Sequence, residues 1–426
     1  MPLQKKLKIY IIDWFRLKYS PLLNVAIGLL FVDIMVDPTN LIFHSKYVLF
    51  GLVFLIWLIK IIRTKTNIIA PPPLFLILAF IGIFMPFYAL SVGIINGVIT
   101  NSDIETFAYF NSFFFFLLLL VIVNENIELT KYINYSSLVV VALTLGLYFV
   151  LLFDPKFFID VYHYIVLEKG AVVYAIRNYG DFTLLMMFYK TSPILVFPLS
   201  YYLYRLFINT NKRRLIPDSI FLFLFIVTLF LSGSRANVLA LLVIILFYLG
   251  FYVFKKSKKG FVLVGILSLI VFVLVIPAFF DLLLNQNETS NLVKYGHFSS
   301  YLEFFESHKI MAIFGQGIGG SFFSTGMNMV SNVSELTYLE IIRIWGFPMA
   351  LVFFGVLILP FILEIRSGKI GPVFIAYIAY LFIAGTNPLL LSSTGMIVLV
   401  YVFSEAYKKY YKPSENNVTR NNNFIP

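Results

Sequence analysis

Long apolar runs alternate with polar joints along the whole chain, and the lengths of those runs predict the fold. A helix rises 1.5 Å per residue, so about 20 apolar residues cross about 30 Å of hydrocarbon. About twelve runs approach that length: residues 21–37, 46–63, 74–96, 106–123, 134–153, 191–208, 218–232, 236–254, 261–280, 336–363, 370–387 and 389–406. The pattern predicts an all-α polytopic membrane protein of about 12 transmembrane helices, five in 21–153, four in 191–280 and three in 336–406. Residues 1–20 read differently. Lys5, Lys6, Lys8, Arg16 and Lys18 are interleaved with Leu7, Ile9, Ile12, Trp14 and Phe15, as in an amphipathic helix lying on the cytoplasmic surface. No cleavable signal peptide is expected there.

Two joints are long. Residues 154–190 are rich in aromatic and apolar side chains, which predicts short helices on or dipping into the membrane. Residues 281–335 form the largest hydrophilic stretch, punctuated by Gly315-Gln316-Gly317-Ile318-Gly319-Gly320. Such a run implies tight turns and close backbone approach, so this loop is expected to be ordered. Gly315, Gly317 and Gly320 also match G-x-G-x-x-G, but without a surrounding βαβ unit no dinucleotide site follows. The asparagine-rich tail, 407–426, reads as disordered.

Composition narrows the chemistry. Only 12% of the 426 residues are charged and 60% are hydrophobic, against about 25% charged in soluble domains. Without cysteine, disulfides and thiolate catalysis are excluded. His44, His163, His297 and His308 show no metal-binding spacing. Neither a metal nor a cofactor is expected. The net charge of +11 matters through its distribution, and no nucleic-acid partner is inferred from it. With the N-terminus placed inside, 23 of the 32 Lys and Arg residues fall in inner joints and 9 lie outside or near outer span ends. By the positive-inside rule both termini are cytoplasmic and both long loops are external. No internal repeat is visible, which disfavours a transporter built on inverted repeats.

Three constellations carry candidate chemistry. Ser232-Gly233-Ser234-Arg235 separates two apolar runs at an outer span end. Gly233 permits the turn, Ser234 suits a helix cap, and Arg235 occupies the first helical position. A helix N-terminus with an adjacent guanidinium makes an anion site suited to phosphate or pyrophosphate. The same residues also fit a capped hairpin whose arginine reaches lipid headgroups. Arg177-Asn178-Tyr179-Gly180-Asp181, in the first long loop, offers a second guanidinium, with Asn178 and Asp181 available to sugar hydroxyls. An Arg177–Asp181 surface pair is the alternative. Residues 335–346 open a span at its outer end, placing Glu335, Tyr338 and Ile342 on one helical face. Glu335 is a candidate general base for an acceptor hydroxyl, or simply a favourable charge at a helix start. Arg343 is a candidate anion ligand or the partner of Glu340 in an intrahelical pair. His297, Tyr338 and Asp181 complete the set as acceptor or proton contacts.

Together these features resemble the bacterial O-antigen polymerase family, related to the O-antigen ligases. The resemblance is carried by Ser232-Gly233-Ser234-Arg235, by the two outer loops with Arg177 in the first, by Phe314-Gly315-Gln316-Gly317-Ile318-Gly319, and by the 335–346 segment. It covers the C-terminal two-thirds of the chain. Ligases of this group typically have a His-Asn pair where Glu335-Leu336 stands here, so the resemblance points to a polymerase. It implies a metal-independent membrane glycosyltransferase of the bacterial inner membrane, acting at the periplasmic face. Its substrates would be undecaprenyl-pyrophosphate-linked oligosaccharides among membrane lipids, and its protein partner a chain-length regulator. Arg235, Arg177, Arg343 and Ser234 would hold the pyrophosphate and Glu335 would take the acceptor proton. A repeat-unit flippase or transporter and an O-antigen ligase are the alternative functions.

Overall fold

A computed structural model describes residues 3–68, 71–99, 109–179, 182–208, 215–256, 289–332, 334–367 and 370–411. The chain is mostly helical. Among the described residues, six helices are long and apolar enough to cross a membrane, and three shorter apolar ones accompany them. In chain order the elements before the first hairpin are α1 (Leu3–Val36), α2 (Lys46–Thr64), α3 (Pro72–Ile95), α4 (Tyr109–Glu125), α5 (Leu129–Phe153) and α6 (Pro155–Tyr162). A hairpin of β1 (Val172–Tyr179) and β2 (Phe182–Tyr189) follows, then α7 (Val196–Phe207), α8 (Leu215–Leu231) and α9 (Arg235–Lys256). Beyond residue 288 come α10 (Thr289–Ser307), α11 (Lys309–Phe314), a short hairpin of β3 (Phe322–Ser324) and β4 (Met329–Ser331), and α12 (Thr337–Trp345). The chain continues through α13 (Phe347–Arg366), α14 (Pro372–Ala384) and α15 (Ser393–Tyr411).

The peripheral helices bury one stripe and expose another, whereas α7 and most of α15 are enclosed. In α1, Ile27, Leu30, Phe31 and Ile34 are buried, whereas Leu22, Val25 and Leu29 are exposed. Val48 and Ile62 in α2 and Leu152 in α5 are about 70% exposed. A belt of exposed branched side chains would be a liability in water and is the natural surface of a protein solvated by lipid. Ion pairs close one end of the bundle: Lys60 with Glu125, Arg205 with Asp218 at 2.9 Å, and Lys409 with Glu364. Both hairpins, α10 and α12 gather at the opposite end.

Several expected boundaries differ. The basic N-terminal segment is continuous with the first span, because Pro21 lies inside α1 without ending it. The loop 154–190 holds α6 and a π-helical turn, His163–Glu168, but most of its remainder is the β1–β2 hairpin. The fold is therefore not purely helical. Aromatic and β-branched residues in this stretch serve a ladder running from Val172 opposite Tyr189 to Tyr179 opposite Phe182. The run 336–363 is two helices. Gly346 interrupts it with φ +78°, and a Cβ there would collide with the Ile313 carbonyl, so α12 and α13 are separate pieces. The loop 281–335 carries defined elements from residue 289 onward, as its glycines suggested. Residues 407–411 of the expected tail continue α15, and the expected span 261–280, Asp181 and residues 412–426 lie outside the described residues.

Candidate functional site

The turn between α8 and α9 is built by small and polar side chains. Ser232 Oγ donates to the Leu229 carbonyl at 2.6 Å, ending α8. Asn237, on the first turn of α9, donates from Nδ2 to Ser232 Oγ and to Ser192 Oγ, both at 2.9 Å. Gly233 takes φ +59°, and Met186 of β2 packs so closely that a Cβ would lie 2.6 Å from its Cγ. Only glycine meets both demands. The Ser234 carbonyl accepts the Val238 amide at 3.0 Å, which starts α9 with Arg235 as its first residue. Tyr148 of α5 fastens the hairpin to this turn, donating to the carbonyls of Leu185 and Leu231.

Ser234 and Arg235 face a cavity of about 890 Å³ at this end of the bundle. That is near the upper end of the ~300–1,000 Å³ common for ligand sites. Its apolar wall includes Met186, Phe188, Leu239, Phe298 and Phe382, and its charged groups are Arg235, Lys190, Lys294 and Glu335. Arg235 Nη1 donates to Asn291 Oδ1 of α10 at 2.9 Å. Lys294 Nζ stands 3.8 Å from Glu335 Oε2, with both side chains partly exposed. At that separation and exposure the pair is weak, leaving the Glu335 carboxylate accessible from the cavity. Three cations face one carboxylate, and the N-terminus of α9, whose first-turn amides have no intrahelical acceptor, adds partial positive charge. Among the described residues no three His, Asp or Glu side chains converge as a metal-binding group would.

The remaining expected site residues lie elsewhere. Arg343 does not reach the cavity. It is 1% exposed, and its five N–H groups are taken: Nε donates to Glu340 Oε2 (2.9 Å), Nη1 to Gln316 Oε1 and the Gly320 carbonyl (2.7 Å), and Nη2 to Glu340 Oε1 (2.6 Å) and the Asn332 carbonyl (3.1 Å). Tyr301 of α10 adds a hydrogen bond to Glu340 Oε2 at 2.5 Å, and Phe322 lies under the guanidinium. Arg343 thus fastens the glycine-rich turn to α12. Tyr338 is turned toward α14, donating to the Leu381 carbonyl at 2.6 Å. Glu335 precedes α12 instead of riding on it, so Glu335 and Tyr338 do not share a helical face. His297 is buried against Phe322 and does not line the cavity, and burial pushes its pKa below the usual value. Arg177 sits in β1 opposite Leu184, four residues beyond the cavity-lining Val173. Its side chain lies outside the described residues.

Four features of the cavity have no counterpart in the sequence-based set: Lys190, Asn291, Lys294 and the loop from Thr386 to Ser392. The signal for the loop was present, since Thr386, Asn387, Ser392 and Thr394 interrupt two apolar runs that were read only as neighbouring spans.

Fold and site together define a mostly helical, multi-pass membrane protein with a cationic, apolar-walled cavity at one end. No family model matches the chain, and no curated protein or solved structure is significantly similar to it.

Proposed function

We propose that the protein is an O-antigen or related surface-polysaccharide polymerase of the bacterial inner membrane. The carrying observation is that Arg235, at the start of α9, and Glu335, a hundred residues later, line one cavity. In this reading the chain has about twelve spans with both termini cytoplasmic, supported by the excess of Lys and Arg in inner joints. The cavity then opens to the periplasm. Its cationic groups suit a pyrophosphate headgroup, and its apolar walls suit the start of a polyprenyl chain.

Glu335 takes the proton from an acceptor sugar hydroxyl on a new lipid-linked repeat unit. The oxygen attacks the anomeric carbon of the growing glycan, and the bond from that carbon to the pyrophosphate oxygen breaks. The electron pair leaves on undecaprenyl pyrophosphate, whose charge is held by Arg235 and the first amides of α9. Removing one preorganised donor of this kind costs about 10²–10³ in rate. Lys294, lying between Arg235 and Glu335 in the cavity wall, replaces Arg343 in this scheme. Arg177 remains a second guanidinium supplied from the hairpin, and a chain-length regulator is the expected protein partner.

Surface glycan profiling of a deletion strain tests the reading. A polymerase deletion leaves surface lipid capped with one repeat unit. Uncapped lipid without carrier-linked polymer identifies a flippase, and polymer retained on the carrier lipid identifies a ligase.

A further inference from the structure

The cavity has two charged ends built by different elements. Met186, Phe188 and Lys190 all line it, as alternate residues along one strand direction do. Met186 packs on Gly233 beside Arg235, and Lys190 lies four residues, about 13 Å, further along. There the hairpin base is tied to the end of α1. Tyr189 Oη donates to the Val36 carbonyl, Thr191 Oγ1 to the Met35 carbonyl at 2.8 Å, and Thr39 Oγ1 to the Lys169 carbonyl at 2.9 Å. Lys46 joins this corner to the start of α15, donating to the Pro38 carbonyl at 2.9 Å and to Ser393 Oγ at 3.2 Å. Pro38, Thr39, Lys190 and Thr394 therefore wall one end of the cavity.

The charges at this corner are unequal in their compensation. Lys46 interacts electrostatically with both Asp33 and Asp37. Lys190 faces the cavity with no ion pair or side-chain hydrogen bond to any described residue, and burial lowers its pKa below the usual lysine value. A partly desolvated ammonium without a counter-charge is unfavourable until an anion joins it. Ser392 caps α15 by accepting the Gly395 amide at 3.2 Å, while the amides before it have no intrahelical acceptor. They add donors beside Thr394 and Lys190.

We propose that Lys190, Thr394 and the first turn of α15 form a second oxyanion subsite, at the end of the cavity away from Arg235. The inference deepens the glycosyl-transfer reading and rests on it: one pole holds the departing pyrophosphate, and the other holds an anionic group of the second substrate. That group is a phosphate or a carboxylate. Its two sources are the pyrophosphate of the second lipid-linked unit and an acidic sugar of the repeat unit.

The test is equilibrium binding to the purified full-length protein in lipid nanodiscs, with farnesyl pyrophosphate and glucuronate as separate probes. Lys190→Met weakens one class of sites for one probe about tenfold or more, the loss expected for a charge-assisted contact. Lys190→Arg restores that binding, and Arg235→Lys leaves it within a few-fold. A response with farnesyl pyrophosphate assigns the second lipid headgroup, and a response with glucuronate assigns an acidic sugar. Wild-type affinity for both probes in Lys190→Met, or no binding of either probe to the wild type, overturns the subsite. Lys190-dependent binding with no Arg235-dependent pyrophosphate site instead overturns the donor pole and leaves this subsite standing.

Discussion

Arg343 and Arg235 show how two arginines at the ends of apolar runs diverge in role. All five donors of Arg343 are consumed inside the protein by Glu340, Gln316, Gly320 and Asn332, whereas Arg235 reaches Asn291 at the edge of a cavity. Breaking a buried ion pair by removing one partner costs about 3–5 kcal/mol, while replacing both partners with apolar groups costs far less. Arg343→Met is therefore expected to lower the melting temperature in detergent sharply, and Arg343→Met/Glu340→Met to recover part of the loss. Additive losses would contradict the pairing. The sequence made Arg235 conspicuous, because polar residues flanked by two apolar runs stand out locally. It could not separate the candidate roles of Arg343, since Gln316, Gly320 and Asn332 approach only through the tertiary fold. Lys190 and Lys294 were legible as outer charges but not as neighbours, for the same reason.

At the scale of elements, hydropathy locates apolar segments but does not mark where backbone geometry interrupts them. The run after Glu335 looks continuous, yet Gly346 divides it, and the break turns α12 aside to bury Glu340 and Arg343. An L-residue at φ +78° is strained by about 1–2 kcal/mol, and here a Cβ also meets the Ile313 carbonyl. Gly346→Ala is expected to destabilise the protein by more than about 2 kcal/mol in thermal unfolding. Gly355→Ala, inside α13 with open space at its Cβ position, is expected to be neutral or stabilising by up to about 1 kcal/mol. Equal effects would refute the break as a fixed feature. The β1–β2 hairpin was hidden for a different reason. Residues 186–189 of β2 are all buried, so no alternation marks the strand, and a short apolar run serves a strand or a buried helix equally well.

At the scale of the whole molecule, the bundle has the Lys60–Glu125, Arg205–Asp218 and Lys409–Glu364 pairs at one end and the cavity at the other. The absence of cysteine makes the proposed orientation directly measurable with single thiols. Thr386→Cys, in the cavity wall, is expected to react with a membrane-impermeant maleimide added to spheroplasts. Lys131→Cys, exposed at the opposite end, is expected to react only after the membrane is opened, and the reverse pattern would invert the topology. The proposed mechanism turns on the guanidinium at the start of α9, whose planar fork lysine cannot reproduce. The most direct measurement is the length distribution of surface polysaccharide in deletion cells expressing Arg235→Lys at wild-type level. The expected result is surface lipid bearing single repeat units with little polymer; full-length polymer at wild-type abundance would contradict a pyrophosphate-holding role for Arg235.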